Sequence, residues 1–167
     1  MNKIIELRSD TFTMPSEQMK EYMFNAQVGD DVYGEDPSVN ALEDKMAKLT
    51  NKEAALFTTS GTQANLLAML SHCQRGEEYI CGQDSHIFKY EGGGSSVLGG
   101  ISPQPIEFEK DGTLDLNKVH KKIKPDDFHF AMTKLLCLEN THDGKVLPLS
   151  YLQEARKFTQ DKNLLLH

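Results

Sequence analysis

Short apolar runs of strand length alternate along this chain with helix-length segments, and that alternation constrains its fold more than any other feature. Candidate strands are Ala54–Phe57, Tyr79–Cys81, Pro105–Phe108, Lys134–Glu139 and Asn163–Leu166. Between and after them lie candidate helices Ala64–Cys73, Leu116–Ile123 and Tyr151–Thr159, the last preceded by Ser150 and Gln153 in capping-box spacing. Two further helices, Ser16–Ala26 and Ser38–Leu49, come before the alternation; in the second, Val39, Leu42, Met46 and Leu49 share one face. An extended arm, Ile4 to Met14, precedes them, and the segment from Val28 to Pro37 carries too much turn chemistry to be regular. Such alternation predicts an α/β fold with three layers, a mostly parallel mixed sheet flanked by helices.

In such sheets ligands sit beyond the carboxyl ends of the strands. Ser60–Gln63, Asp84–His86, Asn140–His142 and His167 occupy those positions. The run Phe57-Thr58-Thr59-Ser60-Gly61-Thr62-Gln63-Ala64-Asn65 is the richest of them. A strand–turn–helix junction there aims the unpaired N–H groups of the first helical turn, and the helix dipole, at one point suited to an anion such as phosphate. Gly61 permits close approach, and Ser60, Thr62 and Gln63 add side-chain donors. An ordinary helix with a hydroxyl N-cap accounts for the same residues equally well.

Composition excludes several classes. The 167 residues suffice for one domain with a real core, and a net charge of −7 without any basic stripe argues against a nucleic-acid partner. No apolar run approaches membrane-spanning length. Three scattered cysteines, Cys73, Cys81 and Cys137, lack ligand spacing and read as buried free thiols of a cytoplasmic protein. The glycine run Gly92-Gly93-Gly94 lacks dinucleotide-fingerprint spacing, no GK[ST] motif occurs, and no histidine pair has the spacing of a metal site.

Four long motifs in order, Leu7-Arg8-Ser9-Asp10-Thr11, Val28 to Gly34, Ser60 to Asn65, and Leu138 to Pro148, resemble the low-specificity L-threonine aldolases. These are pyridoxal 5'-phosphate enzymes of the aspartate aminotransferase fold type, close to the β-eliminating lyases. The resemblance covers essentially the whole chain. It implies retro-aldol cleavage of L-threonine or L-allo-threonine to glycine and acetaldehyde, and a homo-oligomer, usually a tetramer with sites at dimer interfaces. It assigns the cofactor phosphate to Ser60, Gly61, Thr62 and Gln63, ring stacking to His86, and a place near the substrate hydroxyl to His142. Ser9 resembles the residue holding the substrate carboxylate, Tyr33 a residue lining the site, and Glu91 and Asn140 cofactor-proximal groups. His142, His86 or a water held between them is the candidate base.

In the family, the segment after the last strand reads Asp-Gly-Ala-Arg, and the lysine that carries the cofactor follows later. The present sequence stops at His167. Residues 1–167 are therefore expected to form part of a large pyridoxal-phosphate domain with an N-terminal arm of about residues 1–14. The rest of that domain and a small C-terminal domain lie outside them. Alone they are expected to lack turnover and to fold poorly. Two alternatives stand beside this reading: a non-catalytic truncated product acting at most as a phosphate-binding or subunit-interaction module, and a β-eliminating lyase on the same fold.

Overall fold

The computed structural model describes residues 5–167, and its contacts divide the chain into two compact units, Met1–Phe57 and Thr58–His167. Residues 1–4 of the expected arm lie outside the described residues. The rest of that arm contains a short 3-10 turn, Asp10–Phe12, capped by Ser9.

In the N-terminal unit, helix α1 spans Glu17–Phe24 and starts on Ser16, whose Oγ accepts the Met19 N–H at 3.2 Å. Helix α2 spans Pro37–Thr50, with proline in its first turn, where the missing N–H costs nothing. Its cap, Asp36, accepts the N–H groups of Ser38 and Val39 at 2.9 Å each. The same carboxylate accepts the Gly29 N–H at 3.0 Å, so the polar loop is closed on itself by one side chain. The expected strand Ala54–Phe57 does not form: Leu56 is 72% exposed, and the Phe57 N–H is taken by the Glu43 carboxylate at 2.7 Å. Apolar composition alone cannot make a strand, because its backbone groups need a neighbouring strand, and among the described residues none lies beside 54–57.

The C-terminal unit holds one sheet of β1 (Glu78–Gly82), β2 (Ser102–Ile106), β3 (Thr133–Leu136) and β4 (Leu165–Leu166) in the order β2-β1-β3-β4. All four described strands are parallel, so the mixed character expected of the sheet is not seen in them. β1 is buried along its whole length, as a central parallel strand must be. β2 begins three residues earlier than the expected Pro105 and ends before Phe108. The Ser102 N–H bonds inward to Glu77, which leaves Pro103 and Pro105 with their nitrogens toward the open edge. Proline there removes donors from an exposed strand edge without breaking the ladder.

Alternate residues of the central strands feed two cores. Tyr79, Cys81, Leu135 and Cys137 pack with Met69 and Cys73 near helix α3 (Gly61–His72) and with Ile87 of the short helix α4 (His86–Lys89). Ile80 and Leu136 pack on the other face with Val119 of α6 (Leu116–Lys122) and Phe158 of α7 (Leu149–Asp161). Each fully buried aliphatic chain contributes about 1.5–3 kcal/mol. The three-layer α/β expectation is met. Two one-turn helices, α4 and α5 (Gly94–Val97), are too short to show a periodicity in sequence. The expected capping box is absent: α7 starts at Leu149 behind Pro148, whose φ of −58° already suits a helix, so Ser150 falls inside the first turn.

Candidate active site

The chain runs from β1 to β2 on one side, then crosses back to β3 on the other, so the strand order reverses between β1 and β3. A crevice at the carboxyl ends of strands flanking such a reversal is the expected ligand position in an open α/β sheet. A cleft of about 360 Å³ opens there, lined by Ser85, His86 and Ile87 after β1, by Cys137 to Thr141 after β3, and by Asn65 of α3 and His167 after β4.

His86 opens helix α4 on a backbone fixed by the buried Ser85, whose Oγ donates to the Gly82 carbonyl at 2.7 Å. Its imidazole is 54% exposed and bonds through Nδ1 to Glu91 Oε1 at 2.7 Å. Its backbone N–H donates to one carboxylate oxygen of Glu139. The other oxygen of Glu139 meets His142 Nδ1 at 2.8 Å. One carboxylate thus spans the loops that follow β1 and β3.

His142 is buried, with its side chain 6% exposed, and its ring stacks on Phe108 at 3.8 Å between centroids. It does not line the cleft; Glu139 stands between. Asn65 donates through Nδ2 to Glu91 Oε1 at 2.6 Å and meets His167 Nε2 through Oδ1 at 3.1 Å. Burial, chiefly, and the neighbouring His72 hold the His167 imidazole below its ordinary pKa, against the pull of Glu91. It is therefore neutral near pH 7 and donates Nε2–H to the Asn65 carbonyl.

Helix α3, which carries Asn65, starts on the hydroxyl-rich run. Ser60 Oγ accepts the Gln63 N–H at 3.1 Å, and Gln63 Oε1 folds back to accept the N–H and Oγ–H of Thr59 at 3.0 and 2.9 Å. The helix-cap reading of this run is realised in full. It leaves the Gly61 and Thr62 N–H groups without a partner among the described residues, and the Ser60 hydroxyl proton free to donate. Apart from its chain neighbours and the backbone of its own helix, nothing among the described residues lies within 4 Å of the point where a side chain on Gly61 would begin.

Ser9 and Tyr33 belong to the N-terminal unit. Ser9 caps its turn by accepting the Thr11 N–H and Oγ1–H at 3.3 and 3.0 Å, and Tyr33, in the 3-10 turn Asp31–Tyr33, is 78% exposed. Asn140 turns its carbonyl to the Leu147 N–H at 3.2 Å and lines the cleft. Lys89 pairs with Asp84 at 2.8 Å, half exposed, as a solvated lysine does. Sequence reasoning assigned no role to Asn65 or Glu139. Glu139 had a signal, since it closes the candidate strand Lys134–Glu139 at the end where ligands bind.

Comparison with known proteins gives the family and the fold. The chain is 64% identical over 164 residues to a low specificity L-threonine aldolase of Escherichia coli K12, covering 98% of this chain and 49% of that protein. It is 43% identical over 171 residues to a probable low-specificity L-threonine aldolase 2 of Arabidopsis thaliana, covering 99% of this chain and 48% of that protein. The chain thus spans about half the length of the curated relatives it matches. A solved threonine aldolase of Leishmania major shares the fold at a TM-score of 0.73 and 23% identity, over 89% of this chain and 43% of that one. The model of the beta-eliminating lyase family matches residues 6–167, and the chain belongs to that family.

Proposed function

We propose that this chain supplies the first part of a pyridoxal 5'-phosphate-binding domain in a lyase that splits L-threonine or L-allo-threonine into glycine and acetaldehyde. The observation that carries this reading is a cleft at the reversal point of the sheet lined by a half-exposed histidine and by Asn65, one turn into a helix with a capped, donor-rich start, in a chain 64% identical to a threonine aldolase.

The residues fit the cofactor. A phosphate monoester needs converging donors and room, and Gly61 and Thr62 offer free N–H groups, Ser60 a hydroxyl proton, and Gly61 open space. Gln63 adds its Nε2 donors, its Oε1 being occupied by Thr59. His86 would contact the ring. When bound, the cofactor supplies an electron sink for the carbanion left at the glycine carbon as the Cα–Cβ bond breaks.

The protein's own contribution is proton handling. Cleavage requires loss of the β-hydroxyl proton, and an imidazole suits that transfer near neutral pH. Between the two candidate histidines, the geometry favours His86, which lines the cleft, over His142, which lies behind Glu139. His142 then serves to hold Glu139, and Glu139 holds the His86 backbone. Family resemblance extends the proposal to Ser9 and Tyr33 as substrate-binding residues and to a homo-oligomer. A cytoplasmic location is supported by the buried free thiols; no described helix is long and apolar enough to cross a membrane.

Titration of the complete lyase that contains these residues with pyridoxal phosphate, followed by absorbance and competed with inorganic phosphate, tests the cofactor. Product analysis with both threonine isomers tests the reaction. Saturable binding with glycine and acetaldehyde in equal amounts is expected. Absence of binding overturns the reading, and ammonia with 2-oxobutanoate would assign elimination instead.

A further inference from the structure

The glycine run that lacks any dinucleotide fingerprint has a structural use beside the cleft. Gly92 and Gly93 adopt φ of 62° and 68°, two consecutive left-handed residues that side chains rarely tolerate. They turn the chain sharply between α4 and α5, and the Gly94 N–H closes the turn on the Glu91 carbonyl at 3.1 Å. That turn places the Glu91 side chain beneath His86, where it is only 4% exposed.

A carboxylate so deeply enclosed is costly unless hydrogen-bonded, and Glu91 Oε1 receives two short bonds, from Asn65 Nδ2 at 2.6 Å and His86 Nδ1 at 2.7 Å. An ionised carboxylate only accepts, so His86 must carry its proton on Nδ1. His86 Nε2 has no partner among the described residues and is the nitrogen left for a ligand. Asn65 lies one turn into α3, the helix whose start carries the free donors, and it is oriented in turn by His167.

We propose that Glu91 is a positioning residue: it holds the His86 imidazole in the Nδ1–H form and, through Asn65, fixes that ring relative to helix α3. Loss of Glu91 frees the ring to rotate and to take the Nε2–H tautomer, which cannot accept a proton at that nitrogen. The catalytic consequence rests on the lyase reading of the cleft; the tautomer itself does not.

Nitrogen-15 labelling of the histidines, with long-range proton–nitrogen correlation spectra of the protein, reads the tautomer directly. The wild-type His86 should show a protonated Nδ1 and an unprotonated Nε2. Glu91→Gln, which keeps an acceptor oxygen of the same shape, should retain that pattern, whereas Glu91→Ala should lose it. The backbone amide spectrum distant from the α4–α5 turn should be unchanged in both. In the complete protein that contains these residues, with pyridoxal phosphate and threonine present, Glu91→Ala should lower kcat by about tenfold or more, with a smaller change in KM. A wild-type His86 protonated on Nε2, or a pattern unchanged in Glu91→Ala, overturns the proposal. An altered tautomer with no threonine cleavage by the complete wild-type protein that contains these residues would instead leave the positioning role intact and sink the lyase reading.

Discussion

The rings of Phe108 and His142 stack at 3.8 Å with planes 14° apart, and the edge of the same Phe108 ring fills the space where a side chain on Gly82 would stand. Gly82, the last residue of β1, therefore sets the position of a histidine on the other side of the cleft wall. Gly82→Ala should displace Phe108 and cost about 1–3 kcal/mol through overpacking. The cost should appear as a lowered urea midpoint, and chemical shifts of the His142 ring should move with it. An unperturbed His142 would show that Phe108 can yield without consequence.

Ser60 both caps α3 and offers a proton at the proposed phosphate position. Ser60→Ala should cost about 1 kcal/mol in stability. Binding of pyridoxal phosphate and of inorganic phosphate should weaken together, several-fold by fluorescence titration. If stability falls while both ligands bind as before, Ser60 is a cap and nothing more.

The N–H groups of Val39, Gly29 and Ser38 hold the Asp36 carboxyl below the usual carboxylate range. The ionised form is thus favoured in the folded loop. Its stabilisation is complete above the unfolded aspartate value, about 3.9, and is lost as pH falls through the lowered folded value. Amide resonances of Gly29, Ser38 and Val39 should hold steady from pH 7 to pH 5 and shift only below about pH 4. Asp36→Ala should shift them already at pH 7 and fray the first turn of α2.

Burial raises the thiol of Cys73 to about 11 and that of Cys81 to about 12, and it pushes Cys137 up as well. Thiolate, not thiol, attacks disulfide reagents. Ellman's reagent should therefore leave Cys73, Cys81 and Cys137 unmodified in the folded protein at pH 8 and label all three after denaturation. Rapid labelling without denaturant would contradict the packing of these three side chains.

At the foot of the sheet, Lys124 Nζ reaches Glu78 at 2.9 Å, and Glu78 also accepts the Thr133 hydroxyl at 3.0 Å. Lys124→Ala leaves that nearly buried carboxylate with one donor fewer. A loss of about 1–3 kcal/mol is expected, read by thermal or urea unfolding. Glu78→Gln with Lys124→Met should recover most of it.

What could be read from sequence follows from which forces act locally. Tyr79–Cys81 was legible because a strand buried on both faces is apolar throughout. β2 was half hidden because its prolines, harmless on an open edge, look like strand breakers. Ala54–Phe57 misled because its composition suits a strand while its pairing depends on partners that no local pattern reveals. His86 and the helix start at Ser60 were legible from their places after apolar runs. The groups that hold them were not: Asn65 meets Glu91 across 26 positions, and Glu139 meets His86 across 53.

Those long separations bear on how the cleft comes into being. The cap on α3 closes within four residues and can form in a chain that has barely begun to fold. The cleft has no such local precursor, since its walls belong to loops that meet only when β1 and β3 have paired in register. Parallel pairing closes a long loop before any contact rewards it, which makes it slow. Ligand-binding competence should therefore arrive late and all at once, after helix formation, so that a half-folded chain has its helix start in place and no pocket beside it.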